Sequence, residues 1–174
     1  MSIKTIFLDR DGVINKDIGY LYEIDKFEFI DGIFQSCRHF IKLGYSIIIV
    51  SNQSGIERGF YTERDYQIVT AWMIEEFNNN DIKILDAFHC PHGPDSNCNC
   101  RKPLPGMFLE SQRKYNIDMG VSWMIGDKET DIVGARAAGI KQSILVNPSQ
   151  FDNKINSSAS HIIDSISDSI LLIS

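Results

Sequence analysis

No stretch of 18 apolar residues occurs in this 174-residue chain, which argues against a helix that spans a membrane. Room for a secretory leader is also lacking. Met1-Ser2-Ile3-Lys4 runs directly into a strand-like segment, so the expected location is the cytoplasm. Basic residues are the minority, 17 Lys and Arg against 23 Asp and Glu, for a formal net charge of −6. That balance argues against nucleic acid as a partner. An anionic small substrate stays compatible, because local cations outweigh a distant field that salt screens over about 8–10 Å. Cysteine is scarce, and three of the four fall within residues 90–100 beside a histidine. In a reducing cytosol such crowding points to metal, not disulfides.

What the chain does contain is a regular alternation of apolar strands and amphipathic helices. Lys4 to Leu8 reads as a short strand. Asp31 resembles the N-cap of a helix bearing Ile33, Phe34, Cys37, Phe40 and Ile41, closed by Gly44. Tyr45 to Val50 is a near-continuous β-branched run of the kind that parallel sheets bury. Thr62 caps a helix with Ile68, Val69, Trp72, Met73 and Phe77 at its apolar positions. Further strands are expected at 84–89, 121–125, 142–146 and 161–163, with helices opening at Pro105-Gly106 and near Thr130, and a last one over Ile166, Ile170 and Ile173. The Ser/Asn-rich stretch 147–160 reads as loop, and no repeat is present. The expectation is an α/β fold: a doubly wound, Rossmann-like three-layer sandwich with a parallel sheet. It forms one domain over residues 1–174, long enough to bury about 70% of its unfolded surface. No insertion between the elements is large enough for a cap domain, the longest being the loop 14–30.

Polar clusters follow four of these strands: Asp9 and Asp11 after the first, Ser51 after the second, Arg101-Lys102 after the third and Asp127 after the fourth. Alone, a D-x-D pair reads as a polar strand end. Right-handed crossovers, however, bring all four loops to one carboxyl-end rim, where doubly wound sheets bind ligands. Asp9, Asp11 and Asp127 offer hard oxygen ligands suited to Mg²⁺. Ser51 and its neighbouring amides can donate to phosphate oxygens, and Lys102 supplies a point charge.

Cys90-Pro91-His92 and Cys98-Asn99-Cys100 form C-x-H-x5-C-x-C. Three thiolates and one imidazole make a closed tetrahedral zinc set, which points to a structural Zn²⁺ stapling the loop at about 90–105. Its last ligand directly precedes Arg101 and Lys102, so ordering the loop would aim those cations. Cys37 reads as core, His39 as surface, and His161 has no evident ligand set.

The strings FLDRDGV, VSNQSG, CRKP and IGDKETD resemble the motifs of the haloacid dehalogenase superfamily of phosphatases. The resemblance implies Asp9 as nucleophile, forming an aspartyl-phosphate, and Asp11 as general acid/base. The Asp9 and Asp127 carboxylates and the Asp11 backbone carbonyl would ligate Mg²⁺, while Ser51 and Lys102 hold the phosphoryl group. A serine stands in VSNQSG where many relatives carry threonine, which keeps the hydroxyl. With the zinc loop, the likeness extends over residues 3–146 to a subgroup containing heptose bisphosphate phosphatases. It implies substrate contacts from Asp17, Gly19, Tyr20, Asn52, Gln53, Ser54 and Arg101, with Arg58 and Lys128 as further candidates. A small sugar bisphosphate would be the partner of a monomer, used in surface-polysaccharide synthesis. Histidinol-phosphate phosphatase, on the same scaffold, is the enzymatic alternative. A receiver-like regulatory domain is the alternative from another class, though it has no use for Asp11.

Overall fold

Successive residues of Ile47-Ile48-Ile49-Val50 enter two different cores, and that alternation organises the molecule. Ile47 and Ile49 pack with Ile6, Leu8, Ile125 and Ile144; Ile48 and Val50 pack with Phe7 and Met124 on the opposite face. A strand buried on both sides needs covering layers on both sides. The computed structural model, which describes residues 1–147 and 156–174, supplies them. Its elements are β1 (Thr5–Leu8), α1 (Ile33–Lys42), β2 (Ser46–Asn52), α2 (Glu63–Asn79), β3 (Ile84–Cys90), α3 (Gly106–Tyr115), β4 (Trp123–Gly126), α4 (Glu129–Ala137), β5 (Gln142–Val146), β6 (His161–Ile163) and α5 (Ser169–Leu172).

All neighbouring strands are parallel, in the order β3-β2-β1-β4-β5-β6. Ile33, Cys37 and Phe40 of α1 and Val69, Met73 and Phe77 of α2 cover one face, and Met107 and Phe108 of α3 with Ala135 of α4 cover the other. The three-layer, doubly wound expectation is met. From β1 the chain winds outward through β2 and β3, then returns to lay β4 on the opposite side of β1. The switch point therefore lies between β1 and β4, where such sheets open a crevice at their carboxyl ends.

Local details depart from the sequence reading. The N-cap of α1 is Gly32, not Asp31. Gly32 has φ +87, and a Cβ there would meet Ser167 Oγ at 2.0 Å, so only glycine admits the close approach of the C-terminal segment. Strand β2 continues through Ser51 and Asn52, and β3 runs to Cys90, because both stay in register beyond the apolar run, Ser51 opposite His89 and Asn52 opposite Cys90. The fourth strand starts at Trp123; Val121 sits exposed in a 3-10 turn. Ile68 is exposed although its spacing placed it on the apolar face of α2. Residues 148–155 of the expected tail loop lie outside the described part. Among the described residues no helix is long and apolar enough to cross a membrane.

Candidate active site

Asp9 is the first residue beyond β1, and Asp127 the first beyond β4. Leu8 pairs with Ile125, and the Asp9 N–H donates to the Ile125 carbonyl at 3.0 Å, so the two acids leave adjacent parallel strands side by side. Between them the chain turns sharply at Gly12, with φ +90; a Cβ there would meet Asp127 Oδ2 at 2.2 Å. Glycine is what lets the loop after β1 lie against the late acid. One turn into α4, Asp131 completes the group. Single carboxylate oxygens of Asp9, Asp127 and Asp131 lie within 4.8 Å of one another.

Lys102 reaches the same point from the loop after β3. Its side chain is only 1% exposed, and its ammonium contacts Asp131 Oδ1 at 2.7 Å, Asp9 Oδ1 at 2.9 Å and the Val50 carbonyl at 2.7 Å. All three N–H bonds of the lysine are thereby engaged. Burial disfavours its charge, but Asp131 and Asp9 more than offset that and hold it protonated. One cation among three acids leaves excess negative charge. Burial pushes the Asp127 carboxyl up to about 8, with Asp9 and Asp131 adding to the shift. Asp9 is likewise raised, by burial and then by Asp131, against the opposing pull of Lys102. The Asp127 Oδ1 atom is buried with no hydrogen-bond partner. Convergent carboxylates, one with an orphan oxygen, fit a hard divalent cation.

Asp11 does not share in this cluster through its side chain. Arg10 grips both of its oxygens, with Nη2 at 3.0 Å from each, while Asn15 Nδ2 donates at 3.0 Å and Gln53 Nε2 at 3.1 Å. Gln53 also donates to Ser51 Oγ at 3.0 Å and accepts from the Tyr61 hydroxyl at 2.5 Å. Burial pushes the Tyr61 phenol up to about 12, so it remains a donor. Ser51 itself is 1% exposed at the floor of the site.

A cavity of about 460 Å³ opens above these groups. It is lined by Asp11, Asp17, Gly19, Tyr20, Asn52, Gln53, Ser54, Arg101, Lys102 and Lys128, together with Tyr61 and Thr130. Apart from Arg58, every residue expected to contact substrate is therefore on one wall or another. A recess of about 50 Å³ leads from it to Asp9 and Asp131. Two assignments need refinement. The Asn52 amide is spent on the backbone of Lys102, donating to its carbonyl and accepting from its N–H, both at 3.0 Å. Gln53, 2% exposed, lines the cavity with its amide already engaged by Asp11, Ser51 and Tyr61. Lys128 pairs with Asp17 at 3.2 Å and approaches Asp127 at 3.9 Å. Arg58 is exposed and is not among the cavity-lining residues. Tyr20, at φ +53, packs edge-on against Phe60 at 4.6 Å between ring centres.

The cysteine loop folds back on itself as its spacing implies. Ligand atoms of Cys90, His92, Cys98 and Cys100 all lie within 4.8 Å of one another, and no cysteine is in a disulfide. Cys90 Sγ is 3.8 Å from Cys98 Sγ, the edge expected of a tetrahedron with metal–sulfur bonds of about 2.3 Å, while Cys100 Sγ is closer, at 2.9 Å from Cys90 Sγ. The set can hold a tetrahedral metal with no position left open. His92 also ties this loop to the cavity, its carbonyl accepting from Arg101 Nη1 at 3.1 Å. Glu57, from the loop after β2, accepts from the Gly93 N–H and from Ser96 Oγ, clamping the loop from outside.

Asp131 and Arg10 were not singled out from the sequence. Asp131 lies four residues after Asp127 within IGDKETD, a spacing that signals one helical face, but the late acid alone sufficed for the metal argument. Arg10 carries no signal of burial, because a lone arginine at a strand end ordinarily points to water.

Comparisons with known proteins fit this geometry. A HAD-hydrolase-like family model matches residues 99–170. A D-glycero-beta-D-manno-heptose-1,7-bisphosphate 7-phosphatase of Yersinia pestis is 45% identical over 152 residues, covering 83% of this chain and 81% of its own length. A D-glycero-alpha-D-manno-heptose-1,7-bisphosphate 7-phosphatase of Photorhabdus laumondii is also 45% identical, with 83% of each chain covered. Among solved structures, D,D-heptose 1,7-bisphosphate phosphatase from B. bronchiseptica, complexed with magnesium and phosphate, superposes with a TM-score of 0.87. It is 27% identical and covers 98% of both chains.

Proposed function

Since this chain belongs to the haloacid dehalogenase-like hydrolases, we propose that it is a Mg²⁺-dependent phosphatase that removes the C7 phosphate of a D-glycero-D-manno-heptose 1,7-bisphosphate. The observation that carries this reading is the convergence of Asp9, Asp127 and Asp131 within 4.8 Å of one another, beneath a cavity whose mouth carries Arg101 and Lys128. Bound there, Mg²⁺ supplies charge neutralisation between an attacking carboxylate and an anionic phosphate. The remaining work falls to the chain. Lys102 fixes the orientation of Asp9, whose free oxygen attacks phosphorus as the bond from phosphorus to the C7 oxygen breaks. Asp11, in its carboxylic-acid form, protonates that departing oxygen. Water then attacks the aspartyl-phosphate, passing a proton to Asp11 and releasing phosphate from Asp9. Ser51 and the amides beside it steady the transferred group. Arg101 offers a planar fork for the phosphate that stays behind.

In this reading the Cys90, His92, Cys98 and Cys100 site holds a structural Zn²⁺, and its metal orders the segment that presents Arg101. The chain works as one capless domain and as a monomer in the cytoplasm, with selectivity set by rim loops. Phosphate release from heptose 1,7-bisphosphate, histidinol phosphate and simple sugar monophosphates tests it directly. We expect kcat/KM for the bisphosphate to exceed the others by at least about tenfold, roughly 1.4 kcal/mol of transition-state stabilisation. A smaller margin removes the substrate assignment.

Magnesium also has a consequence for stability. The Asp127 carboxyl titrates at about 8 in the fold against an ordinary 3.8. Without Mg²⁺ the folded protein therefore keeps a proton that the unfolded chain gives up. Its contribution is complete below about pH 4 and disappears as pH climbs through 8. Mg²⁺ binds the deprotonated cluster and offsets the loss. In thermal melts of zinc-loaded protein, the rise in Tm on adding Mg²⁺ should be small at pH 5 and grow toward pH 8. An increment that shrinks with pH would contradict the assigned cluster.

A further inference from the structure

Arg10 ranks first by volume among the fully buried side chains, 1% exposed, in a chain whose other arginines are at least partly exposed. Burying a guanidinium costs several kcal/mol, and a buried ion pair seldom adds stability over apolar residues of similar volume. The cost is not fully offset here, since Arg10 Nη1 has no hydrogen-bond partner. What the residue does is specific. Its Nε lies 3.2 Å from Asp11 Oδ2, its Nη2 lies 3.0 Å from both Asp11 oxygens, and Nη2 also donates to the Leu21 carbonyl at 3.0 Å. The guanidinium carbon is 6.0 Å from the centre of the Tyr66 ring, whose face is stacked by His89 at 3.9 Å between ring centres. His89 in turn bonds Glu63 at 3.0 Å. Packing from α2 and β3 thus backs the arginine from behind.

The turn after β1 makes this possible. N–H groups of Val13, Ile14 and Asn15 all point to the Arg10 carbonyl, folding the chain so tightly that residue 11 meets the side chain of residue 10. Three donors, Arg10, Asn15 and Gln53, then converge on Asp11. Both Asp11 oxygens accept from Arg10, the arrangement of a carboxylate that takes up a proton and not of an acid that gives one. A carboxylate held in place is what the second half of the reaction needs. There, a water oxygen bonds to phosphorus, the bond from phosphorus to the Asp9 oxygen breaks with its electron pair returning to Asp9, and the proton of the water passes to Asp11.

We propose that Arg10 is a positioning residue that orients the Asp11 carboxylate to activate water, so that it serves hydrolysis of the aspartyl-phosphate more than its formation. The inference rests on the reading of Asp9 as nucleophile and Asp11 as acid/base. It predicts a split between the two steps that a purely structural arginine would not produce.

The test uses full-length, zinc- and magnesium-loaded protein. Arg10→Met keeps an apolar stem and leaves Asn15 and Gln53 on Asp11. With 4-nitrophenyl phosphate, whose leaving group needs little protonation, the variant should show a burst of nitrophenolate approaching one per active site. Steady-state release should then be slowed by about tenfold or more, and acid-quenched samples should hold covalently bound phosphate. Arg10→Lys restores the charge without the fork, and should partly recover the steady-state rate and shrink the burst. If Arg10→Met shows no cooperative melt, Arg10→Lys carries the test by the same readouts. Unchanged turnover overturns the inference. So does a slowed rate with neither burst nor trapped phosphate. Wild-type protein that releases no phosphate from any sugar phosphate would instead sink the underlying phosphatase reading.

Discussion

Asp9→Asn should abolish phosphate release, by at least about four orders of magnitude, while leaving about one equivalent of zinc on the protein. The amide cannot form an acyl-phosphate, and its side-chain oxygen is a much poorer ligand for a hard cation. The fold should tolerate the change, since Lys102 keeps Asp131 at 2.7 Å and the Val50 carbonyl at 2.7 Å. Removing one acid from a crowded trio also relieves the repulsion that adds to burial in raising the Asp127 carboxyl. Phosphate assays, metal analysis and a melt on the same preparation decide the matter. Retained turnover would transfer the nucleophile's role elsewhere. Lost zinc would mean that the carboxylate cluster and the cysteine cluster do not act as separate sites.

Lys102→Met carries the second large effect, and it falls on stability as well as rate. The lysine's side chain is 1% exposed, and those of its carboxylate partners Asp9 and Asp131 are 9% and 2% exposed. Truncating the cation leaves two buried acids facing each other beside a third. Breaking a buried ion pair from one side costs about 3–5 kcal/mol. For a chain of this length that is a drop in Tm of about 6–20 °C. Turnover should fall by about two to three orders of magnitude, because the same ammonium orients the nucleophile and would face the charge on the transferred group. Adding Asp131→Asn removes one of the stranded acids and should return part of the lost stability without returning activity. A double-mutant cycle in denaturant reads this coupling. An additive cycle would mean that the 2.7 Å contact contributes no coupling to the fold.

Arg10 and Asp131 show where reading residues in order reaches its limit. The β-branched runs, Thr62 as a cap and the C-x-H-x5-C-x-C spacing all act within a few residues; the strands form with their ends shifted by one or two residues, the cap forms at Thr62, and the four metal-type ligands converge. Local propensity and periodicity suffice when the partners are near in the chain. Gly32 displaced Asp31 as the α1 cap for a non-local reason. Ser167, far away in sequence, packs where any Cβ at that position would sit. Ile68 is exposed because helical spacing alone does not say how wide the buried face of α2 is.

From the chain alone came the alternation that demands a doubly wound sheet, the four polar clusters at strand ends, the loop of clustered cysteines and histidine, and the family they resemble. Those features are short-range or additive, so order and composition carry them. Only the folded molecule decided that Asp131 joins Asp9 and Asp127, that Lys102 is fully engaged with Asp9, Asp131 and the Val50 carbonyl, that Asn52 braces the backbone of Lys102, and that Arg10 turns inward to hold Asp11. Each of these depends on the angle at which one strand end meets another and on how much water is left between them. Charge at a site is set by burial and by neighbours distant in sequence, and neither exists before the sheet has closed around it.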